Sequence, residues 1–296
     1  MRSGLLFGIG AYSMWGVFPA FFPLLKPAGA VEVLAHRIIW SFALMVLVVI
    51  VVGRLGDLKS VDRRTWLLLA AAAALISVNW VIYVYAVNNG HVVDAALGYF
   101  ISPLVSIALG LLIFGERLNR WQFCALFVAT GAVTVLTINV GSLPLIALGL
   151  ALSFGLYGAV KKSVPTDPRV SVGIEAGLVT PFALVYVAAM HITGHGTVTG
   201  HGAGQVVLLI LSGVLTALPL LLFAAAAQRL AMVSLGLLFY LTPTMQLSWG
   251  LLVGHEHMPP ARWLGFALIW VALALFTVDA VRRAGVGRWR AEMPRG

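Results

Sequence analysis

The first candidates for chemistry are four ionisable side chains inside long apolar runs: His36, Arg37, Asp94 and Glu175. A charged group in such a run is costly unless it is paired, so it usually serves a function. We expect Arg37 and Asp94 to form an ion pair near one membrane face, although an arginine there also suits snorkelling to lipid headgroups. Glu175 either caps a helix or contacts a proton or substrate. We interpret all four as gate or coupling residues.

Aromatic and amide side chains form a second set, which suits a cavity for a molecule with apolar and polar parts. Asn79 and Tyr83 illustrate the spacing, because residues four apart share one face of a helix. Aromatic residues at the ends of apolar runs, such as Trp66, instead fit the belt at a membrane interface. The predicted substrate cavity consists of Tyr12, Trp15, Trp40, Asn79, Trp80, Tyr83, Asn88, Tyr99, Tyr157 and Tyr240.

Two prolines, Pro103 and Pro243, fall in the middle of apolar runs. Proline inside a helix removes one backbone donor and frees the carbonyl four residues earlier, here that of Tyr99 or Phe239. The result is either a packing kink or a hinge with free carbonyls at a cavity. The two prolines occur in matching sequence contexts, which favours a pair of hinges.

The motifs of soluble enzymes are missing from the sequence. It contains no phosphate-binding loop, no H-E-x-x-H and no G-x-S-x-G. The histidines of the segment His191–Gly204 do not have the spacing of a metal site on a helix. The single cysteine, Cys124, lies in an apolar run, where we expect a buried thiol and no disulfide. The sequence therefore predicts no metal, no cofactor and no enzymatic activity.

Composition assigns the chain to the membrane. Hydrophobic residues make up 61% of it and charged residues 10%, with a mean hydropathy of +1.00. A globular domain carries about a quarter charged residues, so this chain lacks the polar surface that water requires. Its apolar runs are long and do not alternate with polar residues, which favours spanning helices over barrel strands. The basic residues lie between these runs, a pattern typical of membrane topology and not of nucleic-acid binding.

We predict an all-α integral membrane protein with ten transmembrane helices. Placing both termini in the cytoplasm puts sixteen of the nineteen Lys and Arg residues on the inner side, as the positive-inside rule requires. The predicted helices cover residues 4–24, 32–52, 66–87, 93–114, 121–138, 143–160, 171–191, 205–227, 232–253 and 262–282.

The sequence also contains a repeat displaced by 140 residues. The segment that ends at Pro103 matches the one that ends at Pro243, and Gly115-Glu116 matches His255-Glu256. Each half then holds five helices, an odd number, so equivalent helices run in opposite directions. Such inverted repeats are typical of secondary transporters, which bind their substrates near the midplane between the repeats. The predicted units are residues 1–140, residues 141–285 and a basic cytoplasmic tail, residues 286–296.

Several segments resemble the EamA family of the drug/metabolite transporter superfamily. The similarity runs from about Gly4 to Asp279. Two departures are Asp94, where the family pattern has Glu, and His191–Gly204, which has no counterpart. The matching residues include Tyr12, Trp15, Gly16, His36, Arg37, Trp40, Ser41, Asn79, Trp80, Asn88, Gly98, Tyr99, Pro103, Gly115, Glu116, Tyr157, Gly158, Lys161, Lys162 and the segment 269–274.

The resemblance implies a secondary carrier of small organic molecules in a bacterial cytoplasmic membrane. The expected mechanism is alternating access around a midplane cavity, with export of amphipathic metabolites or drugs. The expected partners are the substrate and the lipid bilayer, with the protein either a monomer or a homodimer. Two alternatives are a membrane protein that transports nothing, such as a lipid-modifying enzyme or a sensor, and a channel.

The topology can be tested with single cysteines introduced into a Cys124-free background. The charge distribution predicts that a cysteine within Gly53–Thr65 reacts with an impermeant reagent only from the cytoplasm. A cysteine at position 200 should react only from outside. Labelling of position 200 from the cytoplasm alone would contradict the assignment.

Overall fold

The computed structural model describes residues 2–89, 91–138, 145–198, 201–253, 263–265 and 267–279. Over these ranges the regular elements are helices, joined by short 3-10 turns at Phe22–Leu25 and Leu55–Ser60. The α-helices are α1 Arg2–Gly16, α2 Phe18–Phe21, α3 Ala30–Val51, α4 Arg63–Asn88, α5 Val92–Leu112, α6 Arg120–Ile138, α7 Leu145–Ser163, α8 Pro168–Ile192, α9 Gly202–Ala227, α10 Met232–Phe239, α11 Leu241–Leu252 and α12 Trp263–Asp279.

Helices lie over each of the ten predicted apolar runs, which confirms the all-helical fold. Within the described residues, seven helical segments are long and apolar enough to cross a membrane. The apolar parts of α6 and α12 are shorter, and two helices share the ninth run. The number of ten crossings therefore stays a prediction. The seven are Ser3–Leu25, Ala30–Val51, Arg63–Ala86, Ala95–Leu112, Leu145–Ser163, Pro168–Ile192 and Gly202–Ala227.

The two prolines occupy different helix positions. Pro103 lies inside α5, which continues through it. Pro243, in contrast, is the third residue of α11, after an interruption at Tyr240. The first backbone N–H groups of a helix have no intrahelical partner, so proline removes no helical hydrogen bond there. The expectation of a mid-helix proline is therefore correct for Pro103 and wrong for Pro243.

Close helix crossings bring the two halves of the sequence together. Helix α3 packs on α8 and α9, α5 on α7 and α10, α1 on α9 and α11, and α4 on α7 and α8. At the α3–α9 crossing, a Cβ atom on Gly213 would lie 2.3 Å from the Cβ of Trp40. At the α5–α10 crossing, a Cβ on Gly236 would lie 2.6 Å from the carbonyl oxygen of Pro103. Only glycine permits these approaches.

Glu116, in the loop after α5, holds the first turn of α10. Its carboxylate accepts hydrogen bonds from the backbone N–H groups of Met232, at 2.8 Å, and Val233, at 3.0 Å. The Nζ atom of Lys162 lies 3.6 Å from the same carboxylate. Two N–H groups that α10 cannot satisfy itself are thus paired, and negative charge is favourable at a helix N-terminus.

Glu116→Ala should therefore destabilise the protein by about 1–3 kcal/mol, because two backbone donors lose their acceptor. Glu116→Gln keeps one acceptor oxygen and should lose less. Thermal unfolding in detergent measures both variants. Unfolding of the alanine variant at the wild-type temperature would contradict this role for Glu116.

Candidate functional site

Aromatic side chains from six helices meet in one cluster. The rings of Phe154 and Phe239 stack with centroids 5.1 Å apart, and those of Tyr157 and Phe223 stack at 5.7 Å. Contacts in this range stabilise by about 0.5–1.5 kcal/mol beyond the burial of apolar area. We define the aromatic cluster as Tyr12, Trp15, Tyr83, Tyr99, Phe154, Tyr157, Phe223 and Phe239.

Five residues of the predicted cavity belong to this cluster: Tyr12, Trp15, Tyr83, Tyr99 and Tyr157. The structure brings them together as packed rings, with Tyr12 and Tyr157 fully buried. Rings in contact give a substrate aromatic surfaces to replace if the helices separate. Their role in binding stays a prediction.

The other cavity candidates have different surroundings. Tyr240 is buried, and its hydroxyl donates to the carbonyl of Phe100 at 3.3 Å. Trp40 packs at the α3–α9 crossing, and the Trp80 ring faces Arg37. The amide of Asn79 donates to the Leu150 carbonyl and the Ser153 hydroxyl, both at 2.9 Å, so it joins α4 to α7. The side chains of Asn88 and Asp94 lie outside the described part of the chain.

Arg37 lies within a ring of aromatic side chains. Its guanidinium carbon is 5.4 Å from the ring centroids of Phe18 and Phe22 and 5.7 Å from that of Trp80. Its Nε donates to the Thr216 hydroxyl at 2.7 Å. Cation–π contacts offset part of the cost of a charge away from water. The expected pair with Asp94 stays a prediction.

The neighbouring residue, His36, is buried with both ring nitrogens unpaired to any described residue. A buried imidazole without a hydrogen bond destabilises a fold by about 1–3 kcal/mol. One turn before it, Glu32 accepts hydrogen bonds from the N–H and the hydroxyl of Thr197. That contact joins α3 to the segment between α8 and α9. Sequence reasoning missed Glu32.

Glu175 belongs to a buried polar network between α7 and α8. Its carboxylate is 2.5 Å from the Nζ of Lys161, which is fully buried, and it accepts from the Tyr157 hydroxyl at 3.2 Å. Lys161 also donates to the Ser171 hydroxyl. Because Tyr157 stacks on Phe223, the network adjoins the aromatic cluster. Glu175 is thus paired with a lysine, and capping does not account for its contacts.

Lys161 was not among the predicted site residues, because a lysine near the end of an apolar run looks like an interfacial flank. The i,i+4 spacing of Tyr157 with Lys161, and of Ser171 with Glu175, was the available signal. The cluster phenylalanines were missed as well. Phe223 and Phe239 stand 140 residues after Tyr83 and Tyr99, so the repeat could have identified them.

A pocket of about 690 Å³ lies between the segment Leu55–Ser60 and the α7–α8 loop. Two of the acids that line it are helix caps. Hydrogen bonds from Thr65 lower the pKa of Asp62, and the hydrogen bond from the Arg169 guanidinium lowers the pKa of Asp167. Their carboxylates are committed to α4 and α8, so we do not assign a ligand to this pocket.

The described residues contain no group of three His, Cys, Asp or Glu side chains that could hold a metal ion. The expectation for Cys124 was wrong, since it is exposed on α6. In a membrane helix an exposed apolar side chain contacts lipid, so the apolar run gave the right environment but the wrong burial.

Comparison with known proteins gives consistent results. The EamA-like transporter family matches residues 2–138. The chain is 48% identical over 293 residues to Protein RarD of Streptomyces exfoliatus, covering 98% of this chain and 93% of that one. It is 41% identical to an uncharacterized transporter, YojE, of Bacillus subtilis (strain 168) and 39% identical to Protein RarD of Escherichia coli (strain K12), with 95% of each chain covered. A solved crystal structure at 19% identity matches with a TM-score of 0.72, over 95% of this chain and 99% of that one, which shows a shared fold.

The ion pair between Lys161 and Glu175 gives a prediction for stability. Glu175→Gln or Lys161→Met should each destabilise the protein by about 3–5 kcal/mol, because one buried charge loses its partner. The double variant Lys161→Met/Glu175→Gln should be more stable than the worse single variant. Unfolding in detergent measures all three.

The exposed pair of Arg54 and Asp57 provides a matched control. Asp57→Asn should change stability by less than about 1 kcal/mol, since exposed pairs contribute little. Losses that simply add in the Lys161/Glu175 double variant would show that the two buried charges are not coupled.

Proposed function

The chain belongs to the EamA-like transporter family, as a homologue of RarD, and we propose that it is a secondary carrier that exports small organic molecules. The observation that carries the proposal is the aromatic cluster, in which both halves of the repeat contribute the rings. A multi-pass membrane protein of this family with a shared central cluster suits alternating access around one site.

The proposal includes ten crossings in two inverted halves, residues 1–140 and 141–285, with both termini in the cytoplasm. Contacts between equivalent residues support it. Tyr99 and Phe239 are 140 positions apart and their ring centroids lie 6.2 Å apart. Phe100 and Tyr240, again 140 apart, share a hydrogen bond. In a twofold arrangement, equivalent residues touch each other only close to the axis.

The helix pairings support the same arrangement. If each helix is exchanged for its repeat equivalent, the α1–α9 contact becomes the α7–α4 contact, and both occur. Similarly, α5–α7 becomes α11–α1, and α3–α9 becomes α8–α4. The pairs α3–α8 and α5–α10 exchange into themselves, as elements beside an axis must. These relations place the aromatic cluster next to the proposed axis.

Transport then follows from a change in helix packing. When helices of the two halves separate on one side, rings of the cluster lose each other and can contact a substrate. Closure on that side and opening on the other would release the substrate. The interruption at Tyr240 and the proline inside α5 lie where α5 and α10 cross, so both can absorb the change in helix direction.

Two other functions remain as alternatives. A lipid-modifying enzyme or sensor should cluster acid, base or nucleophile groups near one interface. The Lys161–Glu175 network is buried and internally paired, which does not favour catalysis. A channel differs from a carrier in its flux, which does not saturate. The bacterial relatives favour the cytoplasmic membrane as the location.

Reconstitution into liposomes tests the proposal. Purified protein should carry some members of a panel of small organic solutes with a saturable initial rate, in both the presence and the absence of a pH gradient. Protein-free vesicles are the control. A non-saturating flux would indicate a channel, and no flux of any solute would overturn the carrier function.

The proline pair gives a second prediction for this function. Pro103→Ala supplies a donor for the Tyr99 carbonyl and should straighten α5, whereas Pro243→Ala should allow α10 and α11 to join through Tyr240. Transport should slow while insertion and folding persist, and the two variants should favour opposite-facing states. Accessibility labelling of cysteines in the aromatic cluster measures that preference.

Pro181, an exposed proline inside α8, is the matched control. Pro181→Ala should transport at the wild-type rate, since it lies away from the α5–α10 crossing. Wild-type transport and labelling in all three variants would show that Pro103 and Pro243 only shape the packing.

A further inference from the structure

The Arg37 guanidinium is a positive charge within the helix bundle that has no acidic partner in the described part of the chain. The ion pairs recorded there join other residues. Its surroundings are aromatic: Phe18, Phe22 and Trp80 face it at 5.4–5.7 Å. Aromatic faces attract a cation but do not neutralise it, so the site retains net positive charge.

Hydrogen bonding fixes how this charge is presented. The Nε of Arg37 donates to the Thr216 hydroxyl, and that hydroxyl donates onward to the carbonyl of Ser212 at 2.7 Å. Among the described residues no group accepts from the two terminal nitrogens. A guanidinium held through Nε keeps its terminal edge available, and that edge matches the two oxygens of a carboxylate.

The Arg37 site adjoins the aromatic cluster. Trp80 lies one turn before Tyr83 on α4, and Tyr83 contacts Tyr99 with ring centroids 6.1 Å apart. Both tyrosines are electrostatic neighbours of the Arg37 guanidinium. A molecule with an apolar or aromatic body could therefore lie against the rings while its charged end reaches Arg37.

The acids at other depths are already engaged. Glu32 accepts two hydrogen bonds from Thr197, and Glu175 pairs with Lys161. Neither carboxylate is free to hold an ammonium group. Among the described side chains the charge that awaits a partner is thus positive, which favours an anion over a zwitterion or a cation.

We infer that Arg37 binds the anionic group of the substrate, and that the protein carries small organic monoanions with a carboxylate beside an aromatic or apolar body. The inference rests on the proposed carrier function and names its substrate class. Thr216 positions the guanidinium through Nε, and Phe18, Phe22 and Trp80 form the apolar walls.

A matched pair of probes tests the charge requirement on the native protein. Phenylacetate and phenylacetamide have nearly the same shape, but only the first is charged at neutral pH. Quenching of tryptophan fluorescence in detergent should show saturable binding of phenylacetate, tighter than that of phenylacetamide by about tenfold or more. Phenylalanine, the zwitterion, should bind more weakly than phenylacetate. Equal binding of phenylacetate and phenylacetamide would overturn the inference.

Variants locate the effect. Arg37→Gln should reduce phenylacetate binding to the level of the amide, and Arg37→Lys, which keeps the charge without the fork, should fall between. The control is Arg229→Gln, because Arg229 also faces an aromatic ring, that of Phe7, but is exposed and bonded to the Ala225 carbonyl. It should bind phenylacetate like the native protein. The native comparison stands even if an Arg37 variant does not fold.

The outcomes separate this inference from the carrier function. A preference for phenylacetate that persists in Arg37→Gln would overturn the Arg37 site. A preference that is lost in Asp94→Asn would instead assign the charge selectivity to Asp94 and would also overturn it. Saturable flux of neutral solutes without preference for the carboxylate leaves the carrier standing and removes the anion site. Phenylacetate binding without flux of any solute has the opposite meaning.

Discussion

Polar groups inside a helix bundle in a bilayer must be satisfied by the protein itself, because the hydrocarbon core offers no water. Most of the buried polar side chains described here obey this constraint. Asn79 joins α4 to α7, Glu32 holds Thr197, and Glu175 pairs with Lys161. Two adjacent residues, His36 and Arg37, depart from it. An unsatisfied group costs stability in every molecule, so its persistence is best explained by a task that the paired groups do not perform.

Close packing sets how the halves can move. Gly213 and Gly236 allow helices to approach within a distance that no other residue permits, and the aromatic cluster fills the space beside these crossings. A packed core of this kind does not deform continuously, and it changes by exchanging one set of contacts for another. Rings that stack on each other when a substrate is absent have a second set of partners when a substrate enters.

The sequence predicted the helices well because long apolar runs have few alternatives in a bilayer. It predicted the composition of the centre in part, since Tyr12, Trp15 and Tyr157 did meet. The interruption at Tyr240 was missed because an apolar run looks the same whether or not its helix is continuous. Lys161 was missed because its partner Glu175 lies on the next helix, and burial by tertiary packing is not visible in a hydropathy profile. The repeat contained more information than composition, as the positions of Phe223 and Phe239 illustrate.

The aromatic cluster and the charges differ in how far they follow the repeat. A displacement of 140 residues takes Tyr83 to Phe223 and Tyr99 to Phe239, so the rings are matched between the halves. The same displacement takes Arg37 to Gly177 and relates Glu175 to Ala35, so the charges are not matched. Matched rings give the two halves equivalent surfaces and therefore two comparable packings, as alternating access requires. Unmatched charges make the two packings unequal in energy and give the site a chemical direction, since an anion meets Arg37 on one side and only a paired Glu175 on the other. In this arrangement the repeat supplies the movement, and the departures from the repeat supply the selectivity.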